Sequence, residues 1–315
     1  SSGSLLDVRG LQVGHYTDHT GKTGVSVILS PEGAVCAVDV RGGGPGLRDT
    51  EALRADGIVP HIHALTFSGG SAFGLDAAGG VMRWLSEKGI GLDVGCGKRV
   101  PIVPAAVIFD LHVSTTTPDA AAGYAACEAA NSEAVVEGRV GAGAGATIGK
   151  VGGEKGHCCF GGVGTASIHL QGCGTIAALV VVNAWGDVVD PDTGAIVAGA
   201  KGEDGEFLDT CKHLLAEQSG PPTGSGLFQN TTIAVVATDV KLSKGDALRV
   251  AKMAQTGLCN AIRPAHSLMD GDTVFCISTA KVDMELGATD ICRLGAAAAK
   301  VLATAIVRGA RLGNS

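Results

Sequence analysis

The chemistry of this chain is concentrated at the start of one strand. In GLFQNTTIAVVATDV, residues 226–240, a loop-like run ends at Asn230 and an alternating apolar strand begins at once with Thr231 and Thr232. A chain break between Asn230 and Thr231 would leave a residue carrying both a hydroxyl and a free α-amine. The hydroxyl attacks, and the amine, with a reference pKa of about 7.7–8.0, takes its proton near neutral pH. Thr-Thr at a strand start is equally ordinary β-propensity, so the pair alone does not separate catalysis from structure. Downstream, RPAHSLMDGDTVFCIST sets Asp270 and Asp272 in a tight Asp-Gly-Asp turn before a second apolar strand. That turn would aim two carboxylates at one neighbouring strand end.

Other polar residues stand out against apolar surroundings. Asn183 closes AALVVVNAW, the most apolar run, where an amide must find partners, act as a donor or form a turn. Lys150 follows the glycine-rich GRVGAGAGATIGK and could project a charge into a site lined by bare backbone. A phosphate loop is excluded there, since its pattern needs Gly at Ala144 and Ser or Thr at Val151. Ser68 and Ser71 lack the G-x-S-x-G elbow of a hydrolase nucleophile and read as a close-packed turn. His61 and His63 alternate onto one strand face but show no third metal ligand. His15 and His19 flank a turn and read as solvated.

These residues need strands and helices to position them. Residues 5–43 give short runs of antiparallel character, HALTF a buried strand, and Phe73 to Glu87 a helix with Leu75, Val81, Met82 and Leu85 on one side. PIVPAAVIFDL reads as a buried strand, and the next helix opens with Thr117 as N-cap and Pro118 in the first turn. Residues 161–200 form a hairpin series, and 201–229 read as a surface linker around one short helix, FLDTCKHLLAEQ. After Thr231 come a strand, a helix from Lys244 to Ala261 capped by Ser243, a strand, and a long Ala-rich helix from about Leu286 to Arg308.

Composition limits the alternatives. The 315 residues, 45% apolar but only 3% aromatic, require a core of Ala, Val, Ile and Leu in one large domain or two modest ones. The 49 glycines lack a collagen period and indicate tight turns and close backbone approach. A formal charge of −7 without a basic cluster argues against nucleic acid, and no apolar run reaches membrane-spanning length. The opening SSGS reads as a free tail with no signal peptide after it. Ten scattered cysteines without a CxxC read as reduced core thiols of a cytoplasmic protein.

Taken together, VDVRGGGPG, FSGGSAFGLDAAGGV, GRVGAGAGATIGK, NTTIAVVATDV and HSLMDGDTVFCIST resemble the self-processing aminopeptidases and amidases. That family includes the L-aminopeptidase D-amidase/D-esterase, the β-peptidyl aminopeptidases and, closest in the last two motifs, the nylon-oligomer endo-hydrolase. The resemblance implies one α/β domain over residues 1–315, a four-layer α/β/β/α sandwich like N-terminal-nucleophile hydrolases but with different connectivity. It implies self-cleavage between Asn230 and Thr231 into an α chain, 1–230, and a β chain, 231–315. The nucleophile then falls on Thr231, the orienting carboxylates on Asp270 and Asp272, the lysine on Lys150 and the central-strand amide on Asn183. No cofactor or metal is implied, and the expected partners are a small amide or peptide substrate and further copies in a homo-oligomer, a tetramer among the options. One departure is Phe109, where the family commonly has a tyrosine able to donate to the oxyanion. Two rival readings are an acyltransferase of the ornithine acetyltransferase type and a non-enzymatic scaffold whose Asp-Gly-Asp turn binds a cation.

Overall fold

Strands that are apolar on both faces need a cover on each side, and the chain supplies it by stacking layers. The structure is a computed structural model and describes residues 3–151, 157–216 and 230–315. Its main strands are β1 (Gln12–Asp18), β2 (Thr23–Val40), β3 (Gly46–Arg48), β4 (Ile62–Ser68), β5 (Ala105–Val107), β6 (Gly162–Leu170), β7 (Gly174–Val182), β8 (Ile233–Val240) and β9 (Thr273–Val282). They hydrogen bond in the order β6-β7-β8-β9-β2-β4-β5-β3, with β1 also beside β2. The helices are α1 (Ala77–Glu87), α2 (Ala120–Glu128), α3 (Thr210–Ala216), α4 (Lys244–Ala261) and α5 (Ala288–Gly313).

One strand serves both sheets. The first part of β2 pairs with β1 and β4, while Val35 to Val40 pair with β9. The β2–β4 register shifts between Leu29 and Ala34, where Pro31 removes a backbone donor and Gly33 adopts φ +85°. Three apolar clusters fill the spaces between layers. Val25, Val27, Leu29 and Ala64 pack under Ala77, Val81, Leu85 and Ala126 of α1 and α2. Phe67, Leu179, Val181, Ile233, Val235 and Phe275 join the two sheets face to face. Val180, Val236, Val274 and Cys276 pack under Val250, Leu258, Leu302 and Ile306 of α4 and α5. Alternate residues of β7, β8 and β9 therefore point into different clusters, as period-two strands require. This is the expected α/β/β/α sandwich.

Several boundaries differ from the sequence reading. Phe73 to Glu87 is a 3-10 turn, Ser71–Asp76, followed by α1, and the PIVPAAVIFDL strand is reduced to β5. The α2 N-cap is Asp119, not Thr117: its carboxylate accepts from Ala122 N at 2.9 Å. Ser4 is not a free tail, because its hydroxyl accepts from Leu6 N and its amide donates to Asp7. Within the presumed linker, α3 opens on Thr210, which is buried and held by Asp187; residues 217–229 lie outside the described residues. All ten cysteines are free, but Cys96, Cys158, Cys259 and Cys292 are exposed and not part of the core.

With so few aromatic residues, the layers meet through small ones. A Cβ on Gly257 of α4 would lie 2.0 Å from Ala299 O of α5, whereas one on Gly245 meets nothing closer than 3.7 Å. Gly257→Val should therefore lower stability by about 1–3 kcal/mol or more through overpacking. Gly245→Ala should be neutral or stabilising by up to about 1 kcal/mol. Urea denaturation midpoints of the two variants check this, and equal midpoints would contradict the close helix crossing.

Candidate active site

Strand register brings the singled-out residues together. Antiparallel pairing of Val181 with Ile233 sets Asn183, just past β7, opposite Thr231, just before β8. Parallel pairing of Ile233 with Thr273 sets Gly271 beside Thr231, and Asn230 bridges to Asp270. The run through Lys150 lies against the end of β7, with Gly149 N donating to Ala184 O at 3.2 Å and Lys150 N to Trp185 O at 3.1 Å. Asn183, Asn230, Thr231, Asp270 and Asp272 are all buried.

The Asn230–Thr231 peptide is held on both sides. Thr231 N donates to Asn183 O at 2.8 Å, and Gly271 N donates to Asn230 O at 3.1 Å. Thr231 Oγ1 also donates to Asn230 O, which puts the hydroxyl against the carbonyl it would attack. Gly271 has no room for a side chain: a Cβ there would lie 2.6 Å from Thr231 Oγ1 and 2.8 Å from Gly44 O. The Asn230 side chain is buried, and among the described residues its amide nitrogen and oxygen have no hydrogen-bond partner. Such a burial costs about 1–3 kcal/mol per group.

Asp272 holds the residue after Thr231, and Asp270 holds Trp185 and Ser267. Asp270 accepts from Trp185 N at 3.2 Å and from Ser267 N and Oγ at 3.3 and 2.5 Å. Burial, and then the charge of Asp272, push the Asp270 carboxyl up to about 6. Asp272 accepts from Thr232 N at 2.9 Å through one oxygen and from His266 through the other, the backbone at 2.9 Å and Nδ1 at 3.1 Å. Burial alone would lower His266, but hydrogen bonds to Asp272 and Cys259 outweigh it and raise the imidazole to about 9. His266, Ser267 and Gly271 were missed as separate site residues, although all three lie inside the HSLMDGD motif.

Asn183 joins three segments. Its Oδ1 accepts from Lys150 Nζ and Thr147 N, both at 3.0 Å, and its Nδ2 donates to Phe109 O at 3.1 Å. Gly271 N is an amide donor on Asn230 O, and the Asn183 backbone carbonyl accepts from Thr231 N. Lys150 is half-buried, and burial draws its ammonium down to about 7 against the opposing pull of Cys158, Asp270 and Asp110. Phe109 stacks on His112, with ring centroids 6.2 Å apart. Burial, and secondly the Lys150 charge, lower His112 to about 4. His15 is not a solvated loop residue: it sits in β1, hydrogen-bonded to Ser26 Oγ at 2.8 Å. His63 accepts from Ile102 N. Among the described residues no cluster of three or more His, Cys, Asp or Glu could hold a metal, and no helix is long and apolar enough to cross a membrane.

Comparison with known proteins follows this geometry. The model of peptidase family S58 matches residues 3–312. A Mycobacterium leprae protein named as an uncharacterized aminopeptidase is 44% identical, over 89% of this chain and 79% of its own. The 6-aminohexanoate-oligomer endohydrolase of a Kocuria strain is 33% identical, over 97% and 85%. Among solved structures, the L-aminopeptidase D-Ala-esterase/amidase of Ochrobactrum anthropi, described as a variant of the Ntn-hydrolase fold, superposes with a TM-score of 0.72 at 19% identity. A Burkholderia β-aminopeptidase gives 0.69 at 21%, and both cover 97% of this chain and 85% of their own.

The raised Asp270 carboxyl has a defined sign. The fold favours its protonated form, so its contribution to stability is complete below the unfolded value of about 4 and is lost as pH rises through about 6. The change in melting temperature on Asp270→Asn should accordingly be more favourable at pH 8 than at pH 4. The same change at both pH values would contradict the shift.

Proposed function

The chain belongs to peptidase family S58, and on that premise we propose that it is a self-processing amide hydrolase with Thr231 as its amino-terminal nucleophile. The family itself makes the protein an enzyme that hydrolyses amide bonds. The observation that carries the finer reading is the pinned peptide, with the Thr231 hydroxyl on the Asn230 carbonyl and Gly271 N–H on the same oxygen.

In maturation, Thr231 Oγ1 attacks the Asn230 carbonyl carbon and negative charge gathers on an oxygen already facing Gly271 N–H. One such oriented donor is worth about 3–4 kcal/mol to a transition state. The C–N bond breaks, the amine stays on Thr231, and water hydrolyses the resulting ester to leave Asn230 as a carboxylate. Departure of the 230 end also frees the Asn230 amide, which has no partner among the described residues, from its burial.

In turnover, the same hydroxyl attacks a substrate amide to form an acyl-enzyme. The Thr231 amine carries the proton to the leaving amine, and water releases the acyl group. Asp270 and Asp272 favour the ammonium form of that amine and hold the strand start, so they orient it instead of serving as simple bases. Lys150 counters them by favouring the neutral amine, and Asn183 adds a donor near the developing charge. Phe109 brings no phenol, which leaves oxyanion stabilisation to amide donors.

Cleavage would not separate the pieces. Strands β8 and β9 from the 231–315 part lie between β7 and β2 from the 1–230 part, within one sheet and one domain. Candidate substrates are small amides, peptide amino termini and amino-acid oligomers, the classes named for the relatives. The processed units are proposed to form a homo-oligomer, and the ten free thiols suit a reducing cytoplasm.

Hydrolysis of aminoacyl p-nitroanilides and linear amide oligomers, read beside denaturing gels, tests the reading. Thr231→Ala should remain one chain and lose about 10⁴-fold or more in kcat, while Thr231→Ser should still be cut and turn over. A Thr231→Ala protein that is cleaved or active would refute it.

A further inference from the structure

A cavity opens at the end of the sheet opposite Thr231. It lies where β7 begins and where β8 and β9 end, and its volume of about 490 Å³ is within the range of small-molecule sites. From Thr231 along β8 to Asp239 is roughly 25 Å at about 3.3 Å per residue, so this cavity is separate from the candidate active site.

Its wall holds a buried carboxylate. Asp239 is only 4% exposed, and its Oδ1 accepts from Thr175 N at 2.9 Å. Its Oδ2 has no hydrogen bond among the described residues; it has an ion pair with Arg9 Nε, 3.9 Å away on a side chain that is 66% exposed. The backbone is shaped around this carboxylate, because a Cβ on Gly174, at φ +73°, would lie 2.6 Å from Asp239 Oδ1. Asp7 is on the same wall, where its Oδ2 accepts from Ser4 N at 3.0 Å and from Ser167 Oγ. The imidazole of His169 is turned to Thr175, Nδ1 to Oγ1 at 3.2 Å, and Val282 and Met284 add apolar surface.

We propose that this cavity is a second ligand site, which takes a primary ammonium ion carried on a short aliphatic chain. The ammonium donates to Asp239 Oδ2 in place of Arg9, which turns out into solvent, and the carbon chain lies on Val282 and Met284. An exposed arginine at 3.9 Å is a weak partner, so a donor at hydrogen-bond distance displaces it. Two carboxylates against one guanidinium leave a negative charge that a monocation balances and an anionic ligand does not. A metal ion fits less well, since among the described residues no group of three or more His, Cys, Asp or Glu could hold one. Amines of this class are what the proposed hydrolysis releases, but binding here does not depend on the Thr231 reading.

Calorimetric titration of n-butylammonium chloride into the native full chain, at pH 8 and constant ionic strength, tests this. The wild-type chain should bind it saturably and should not bind n-butanol. Arg9→Gln removes the internal competitor and should tighten binding by about three-fold or more, whereas Asp239→Asn should weaken it by about ten-fold or more. Arg9 is at the surface, so its variant keeps the test decisive even where Asp239→Asn fails to fold. Absence of saturable binding overturns the proposal. So does one affinity shared by the wild-type chain and Arg9→Gln, the result expected of an amine held beside Thr231 instead. A chain that binds butylammonium in the expected pattern but never cleaves before Thr231 would sink the proposed function and leave this site standing.

Discussion

Parallel pairing of β8 with β9 is the constraint on which the site depends. Parallel neighbours start at the same end of a sheet, so Thr231 and Gly271 meet although 40 residues separate them in sequence. Such a pair needs a crossover, and α4 supplies it while covering the outer face of the same strands. The antiparallel partner β7 ends where those two begin and delivers Asn183 to the same place. A hairpin connection between β8 and β9 would have put the Asp-Gly-Asp turn at the opposite end of the sheet from Thr231.

Burial then gives these polar groups their chemistry. Burial pushes Asp270 up to about 6 and Lys150 down to about 7, so the acid and the base are both drawn towards neutral pH. The site tolerates them because each has assigned partners: Asp270 has Trp185 N and Ser267, Asp272 has Thr232 N and His266, and Lys150 has Asn183. The Asn230 amide, at the bond proposed to break, is buried without a partner among the described residues, as are Thr232 Oγ1 and His266 Nε2 beside it.

Much of this was legible because local signals and tertiary contacts agree. The Lys244–Ala261 helix and its Ser243 cap follow from periodicity and one capping residue, and β8 and β9 follow from apolar runs bounded by polar starts. What sequence could not give were features set by long-range packing. The double service of β2 depends on a register shift around Pro31, and nothing local distinguishes that from two strands joined by a turn. Thr117 and Asp119 are both good caps, and the choice between them depends on where α2 meets α1. His266 was within a motif already singled out, but its role follows from a fold-back onto Asp272 that spacing alone does not reveal. Gly271 N–H, which faces the Asn230 oxygen, is a backbone group with no side-chain signature.

The central claim is that one residue comes to hold both nucleophile and base. Amino-terminal sequencing of purified material that hydrolyses amides measures this most directly. The account predicts two sequences in equal amounts, one from the start of the chain and one reading Thr-Thr-Ile-Ala from Thr231. Competent material yielding only the first sequence would contradict it.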